Sequence, residues 1–216
     1  MVTLTVLIPV NRLDRAKGRL ADVLDVPVRE ALAIATLRTV ERSARGAGFE
    51  PVILTADPRV AAAVGPGAHI LEEEPALRGL NAQLEHALLR LALDQVLILH
   101  ADLPLATAEA ISALVAAAGP PPSATLVRSP DGGTNAMLLR PPGRFALAYG
   151  SNSHALHEAA ARSAGLATHT EAVPALELDL DTPADLLTLL ALPGAATTLA
   201  GKVLDQPDIR AAIAAS

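Results

Sequence analysis

Apolar and polar positions along the chain follow two rhythms that alternate. Continuous apolar runs at residues 2–10, 51–55 and 95–100, with a weaker one at 68–71, predict strands buried on both faces. Between them the spacing turns helical. Residues 28–44 carry Leu32, Ala35, Thr36, Thr39 and Val40 along one side and mostly charged residues on the other. Residues 80–93 and 107–118 also predict helices, the latter capped by Thr107, and Asp57 with Pro58 opens a short one. Strand and helix in turn predict βαβ units and a mostly parallel sheet.

The pattern changes after residue 123. Residues 124–128 and 136–140 read as strands, and the turn from Ser129 to Asn135 is too short for a crossover helix. These strands are expected either to form a hairpin or to step into another part of the sheet. A helix is expected at 153–164, strands at 167–173 and 176–180, and a helix opened by Thr182, Pro183 and Asp185. The division expected is one domain over 1–192 and a helical tail over 193–216, with one more helix near 208–215.

Composition narrows the classes. Hydrophobic residues are 51% of the 216 but aromatics only 1%, so the core must be built from Ala, Leu, Val and Ile. The net charge of −6, with Phe49, Phe145 and Tyr149 as the only rings for stacking, argues against nucleic acid as a partner. The chain has no cysteine, which excludes disulfides, thiolate catalysis and Cys-based zinc sites. No uncharged apolar run is long enough for a bilayer, since Pro193 and Gly194 interrupt the best candidate. The apolar start lacks a basic region and reads as a strand rather than a signal peptide. A soluble cytoplasmic protein is expected.

Two apolar runs stop at aspartate: Val96 to Leu99 leads to Asp102, and Leu178-Asp179-Leu180 to Asp181. Strand ends of an open α/β sheet face the crevice where ligands bind, and carboxylates there hold Mg²⁺ against phosphates. Asp179 and Asp181 share side-chain parity, so either is a candidate for the second ligand. Arg12, Arg15, Lys17 and Arg19 follow the first strand closely, as triphosphate contacts or as solvated loop charges. Gly79 permits close backbone approach, and Asn81 reads as a helix cap or a base-edge reader. Asp131 to Asn135 reads as an anion-binding nest or a plain hairpin turn. Ser151 or Ser153 opens a helix whose N-terminus suits an anion. His154, His157 and Glu158 give a weak zinc reading without a supporting motif.

Taken together, Ile8-Pro9-Val10, Ala16-Lys17-Gly18-Arg19-Leu20, Gly79-Leu80-Asn81, Ala101-Asp102-Leu103-Pro104, Gly133-Thr134-Asn135-Ala136 and Leu178 to Leu186 resemble the 2-phospho-L-lactate or phosphoenolpyruvate guanylyltransferases of coenzyme F420 biosynthesis. These are similar to the molybdenum-cofactor guanylyltransferase, and the resemblance covers roughly residues 4–190. It implies a three-layer α/β/α Rossmann-like nucleotidyltransferase fold. It also implies GTP and a phosphorylated three-carbon acid as substrates, Mg²⁺ as cofactor and pairing with a second copy.

By the same resemblance Lys17, Arg19 and Asp102 are the catalytic positions, and Asp102 with Asp181 holds the metal. Pro9, Val10, Arg12, Lys17, Gly79, Asn81 and Asp102 bind the nucleotide. Thr134, Asn135, Gly150 and Ser153 bind the acceptor acid. Asn11 stands where the family often has Lys, and His154 where it often has an aromatic residue. The alternatives are a nucleotidyltransferase for a molybdopterin or a sugar phosphate, and a nucleotide-binding module without chemistry.

Overall fold

Strands β1 (Leu4–Pro9), β2 (Pro51–Thr55), β3 (His69–Glu72), β4 (Gln95–Leu99), β5 (Ser123–Arg128), β6 (Thr134–Arg140) and β7 (Ala167–Thr170) form one sheet in the order β3-β2-β1-β4-β6-β5-β7. The structure is a computed structural model that describes residues 4–64 and 67–215. Val2 and Thr3, where the first strand is expected to start, lie outside the described residues. β6 alone runs against its neighbours β4 and β5, and the other pairings are parallel. The segment from Ser129 to Gly133 is therefore a hairpin turn, as its length demands. Asp131 accepts hydrogen bonds from the Ser129 hydroxyl and, at 3.0 Å, from the Gly133 amide. That amide is not left for an anion.

The helices are α1 (Val26–Gly46), α2 (Pro58–Ala63), α3 (Leu80–Leu91), α4 (Ala108–Ala117), α5 (Ser153–Ser163), α6 (Pro174–Glu177), α7 (Pro183–Ala191), α8 (Leu199–Leu204) and α9 (Pro207–Ala214). Successive strand residues point to opposite faces. Val6, Ile8, Leu97 and Leu99 pack with α1, α2, α4 and α6, whereas Leu7, Val96, Ile98 and Met137 pack with α3 and α5. The result is a three-layer α/β/α Rossmann-like arrangement whose core is aliphatic, as an aromatic-poor chain requires. No helix among the described residues is long and apolar enough to cross a membrane.

A third apolar cluster lies beside these layers. It joins Leu20 and Leu24 after the first loop, Leu32 of α1, Leu178 and Leu180, Leu186 and Leu189 of α7, and Ala200, Leu204 and Ile213 near the C-terminus. The residues after Pro193 thus buttress two segments that carry candidate site residues. α8 was not foreseen, because its run of Leu199 to Leu204 contains a glycine and spans less than two turns.

One expected strand is absent. Residues 174–177 form α6 instead, and Leu178 to Asp181 continue as an unpaired segment. Both edges of β4 are already taken by β1 and β6, so the segment cannot join the ladder there. Its Leu180 amide reaches the Asp102 carbonyl at 3.2 Å, just beyond the end of β4. Asp181 therefore does not end a strand, although it arrives beside one. The expected strand 167–173 is also shorter, ending at Thr170.

The first loop is pinned at its base by a buried carboxylate. Asp57 caps α2 by accepting from the Arg59 amide at 2.9 Å, and accepts from the Leu13 amide at 2.9 Å. The Arg59 guanidinium, at 2.8 Å, together with these amides, holds the Asp57 carboxyl far below the ordinary carboxylate range. Asp57→Asn is expected to destabilise the protein by about 1–3 kcal/mol at neutral pH. A depressed folded-state pKa gives stability that is full above the unfolded value of about 3.9 and is lost as pH falls below it. The gap between wild type and variant in urea-unfolding midpoints should shrink as pH drops from 5 toward about 3; a pH-independent gap would assign the effect to packing.

Candidate active site

The C-terminal ends of β1, β2, β3 and β4 open on one cleft of about 1260 Å³. Because β6 is antiparallel, its N-terminal end lies at the same edge, with the His100 amide bonded to the Asn135 carbonyl at 3.0 Å. This brings Thr134 and Asn135 level with Asp102. The cleft is lined by Pro9 at the end of β1, by Val10, Arg12, Lys17 and Arg19 from the first loop, and by Gly79 at the start of α3. Asp102, Thr134, Asn135, Gly150, Ser153, Asp179 and Asp181 line it as well.

Asn81 is the one expected site residue that does not line the cleft. Its side-chain amide donates to the Tyr149 carbonyl at 3.1 Å, and its oxygen accepts from the Tyr149 amide at 2.8 Å. Both of its polar groups are engaged by main chain, and Gly79 rather than Asn81 stands as the cap of α3. Asn81 acts instead as a clip that fastens the loop before Gly150 to α3. Glu85, one turn on, accepts from the Leu147 amide at 2.8 Å and fastens the same loop.

Lys17 is the centre of the arrangement. Its side chain is only 7% exposed, and its ammonium donates to Asp102 Oδ2 at 2.8 Å and Asp181 Oδ1 at 3.1 Å. Burial disfavours that charge, but the two carboxylates outweigh it and leave the Lys17 pKa raised. For Asp102 burial works against ionisation, and the facing Lys17 reverses it and leaves the pKa lowered. Lys17 has a positive φ of 54°, a conformation uncommon for a non-glycine residue. Arg19 is more exposed and reaches Asp181 at 3.8 Å, while Arg12 pairs locally with Asp14 at 3.2 Å.

Asp102, Asp179 and Asp181 each offer an oxygen, and these atoms lie within 4.8 Å of one another. Three carboxylates so close are costly unless cations neutralise them. Asp179 shows the cost: burial, then the charges of Asp102 and Asp181, push its pKa up to about 7. Asp102 Oδ1 is buried and has no hydrogen-bond partner. An all-oxygen donor set with an orphaned carboxylate oxygen suits a hard divalent cation such as Mg²⁺. Asp181 is freed for such a role by Asp185, whose carboxylate accepts from the Asp181 and Thr182 amides at 3.0 and 2.7 Å.

The histidine pair does not make a metal site. His157 engages Thr134 and Ala148, while His154 faces Thr170 of β7 at 3.0 Å. Among the described residues the three aspartates form the only cluster fit for a metal.

Two supporting residues were not anticipated. Gln83 accepts from the Glu74 amide and donates to the Glu74 and Leu77 carbonyls, at 2.8, 2.8 and 3.2 Å, shaping the cleft wall before Gly79. Its signal was available, since it is a polar residue on the apolar stripe with Leu84, Ala87 and Leu88. Tyr149 packs between His100 and His157, with ring centroids 5.1 and 4.7 Å away, and nothing in its local sequence indicates this. Gly79, at a φ of 84° with open space where a Cβ would stand, needs glycine for its backbone rather than for lack of room.

Comparison with known proteins places these features in a family. The chain matches the family described as "Guanylyl transferase CofC like" over residues 4–200. It is 39% identical over 204 residues to a phosphoenolpyruvate guanylyltransferase from Rubrobacter xylanophilus, covering 87% of this chain and 94% of that one. It is 40% identical over 193 residues to the protein of the same name from Sphaerobacter thermophilus, covering 86% and 91%. Among solved structures, a protein from Desulfovibrio desulfuricans G20 superposes with a TM-score of 0.77 at 16% identity, over 100% of this chain and 98% of that one. A nucleotidyl transferase from Methanothermobacter thermautotroptrophicus gives 0.61 at 14% identity, over 86% and 95%. These structures share the fold; the sequence relatives and the family match carry more, and on them the chain belongs to the CofC-like guanylyltransferases.

Proposed function

We propose that this chain joins GTP to phosphoenolpyruvate and releases pyrophosphate, with Mg²⁺ held by Asp102 and Asp181. The observation that carries the reading is the meeting of Lys17 with Asp102 and Asp181, from opposite halves of the chain, at the cleft. A phosphate oxygen of the acceptor attacks the α-phosphorus of GTP, a new P–O bond forms, and the bond to the β-phosphate breaks. A phosphate monoester has its second pKa near 6, so the attacking oxygen is already anionic at neutral pH. No general base is needed for that attack.

The work left to the protein is positioning and neutralisation of charge. Lys17 and Arg19 offset charge on the departing pyrophosphate. Thr134, Asn135, Gly150 and Ser153 hold the acceptor acid. Bound Mg²⁺ would supply further neutralisation of phosphate charge. Asp179, beside the Asn135 amide at 3.5 Å, stands as a third carboxylate available to the same ion.

The test is incubation of the protein with GTP, Mg²⁺ and, in turn, phosphoenolpyruvate, 2-phospho-L-lactate and 3-phosphoglycerate, with mass spectrometry of the product. The expected result is a guanylylated phosphoenolpyruvate and stoichiometric pyrophosphate, abolished by EDTA. GTP binding by calorimetry without transfer to any of the acids would overturn the reading.

A further inference from the structure

His157 is fully buried behind the cleft wall and takes no direct part in the reaction above. It packs against the rings of Phe145 and Tyr149. Its Nε2 lies 2.9 Å from the Ala148 backbone nitrogen, which can only donate. Nε2 is therefore an acceptor, and the single proton of a neutral imidazole sits on Nδ1. Nδ1 lies 3.1 Å from Thr134 Oγ1, which must accept that proton. Thr134 Oγ1 lies in turn 3.2 Å from Ser153 Oγ.

Counting protons along this chain gives a definite outcome. Thr134 and Ser153 have two hydroxyl protons and one contact between them. Whichever hydroxyl donates across that contact, the other keeps a proton with no protein partner given by the structure, and both residues line the cleft. Reversing the imidazole would remove this: with the proton on Nε2, Ala148 would lose its acceptor and Thr134 would donate backward to Nδ1.

We infer that His157 is a positioning residue, which polarises the Thr134–Ser153 pair so that one O–H is directed into the cleft as a donor to an anionic oxygen of the acceptor acid. This rests on the acceptor site proposed above. Donation to a carboxylate or phosphate oxygen is the stronger, charge-assisted kind of hydrogen bond. Burial, with lesser contributions from His100 and His154, holds the His157 pKa down at about 4, so the neutral ring persists at neutral pH.

The test combines two measurements on the full chain. Nitrogen-resolved NMR of His157 should show a neutral ring protonated on Nδ1 at pH 7; a proton on Nε2, or a charged ring, overturns the inference. In steady-state kinetics His157→Leu should raise KM for phosphoenolpyruvate by about tenfold or more, the scale of a hydrogen bond to a charged group. KM for GTP should stay within about twofold. His157→Asn, which keeps an N–H toward Thr134, should recover most of the loss, as a purely packing role would not allow. An unchanged acceptor KM, or equal rises for both substrates, overturns the inference. Should His157→Leu fail to fold, the tautomer and His157→Asn still decide. Absence of transfer by the wild-type protein overturns the acceptor reading itself, whereas the wrong tautomer with normal transfer overturns only the role given to His157.

Discussion

Asp102→Asn is expected to lower turnover by about a thousandfold or more, a loss of roughly 4 kcal/mol of transition-state stabilisation. The reasoning runs from the geometry. Asp102 leaves β4 at the centre of the sheet edge, one oxygen held by Lys17 and the other buried without a hydrogen-bond partner. Asparagine keeps the shape and one acceptor but removes the charge that Lys17 and a divalent cation both need. Lys17 retains Asp181, so the fold should survive and the thermal midpoint should move little. Pyrophosphate release at saturating GTP and Mg²⁺, with circular dichroism as the control for folding, measures both quantities. Turnover within tenfold of wild type would remove Asp102 from the reaction.

Lys17→Met is expected to have the second largest effect, and on two properties at once. The methionine fills most of the buried stem but leaves Asp102 and Asp181 without their shared ammonium. Removing one partner of a buried ion pair costs about 3–5 kcal/mol. Here Asp181 is 41% exposed, so water offsets part of that, and about 2–3 kcal/mol is the expected loss of stability. Turnover should fall about a hundredfold or more, through loss of a preorganised charge opposite the leaving group. Mg²⁺ binds the folded state alone, so added Mg²⁺ should raise the variant's unfolding midpoint more than that of wild type. A variant as stable as wild type in EDTA would show that the two carboxylates do not depend on Lys17.

Some of this was legible from local residues alone. The apolar run 95–99 ending before Asp102 specified both a buried strand and a carboxylate at its mouth. The hairpin of β5 and β6 followed from a turn too short for a helix, and α7 followed from Thr182, Pro183 and Asp185. Other parts were misread because the local pattern had two solutions. Residues 176–180 have strand-like alternation, but Pro174 starts a helical turn, and the sheet has no free edge beside β4. Asn81 has the composition of a helix cap, yet its amide matches the main chain of Tyr149, which lies 68 positions away in sequence.

The sequence by itself determined most of the elements, the aliphatic core and the kinds of groups available for chemistry, because these depend on periodicity and side-chain type within a few turns of chain. Only the tertiary structure decided which of those groups meet. Lys17, Asp102 and Asp181 are brought together by the sheet order and by the C-terminal apolar cluster that holds Leu20 and Leu180. The direction of the proton on His157 is likewise set by Ala148 and Thr134, from two separate segments. Electrostatic and hydrogen-bond energies depend on distances across such contacts, and no local stretch of residues encodes a distance between two segments.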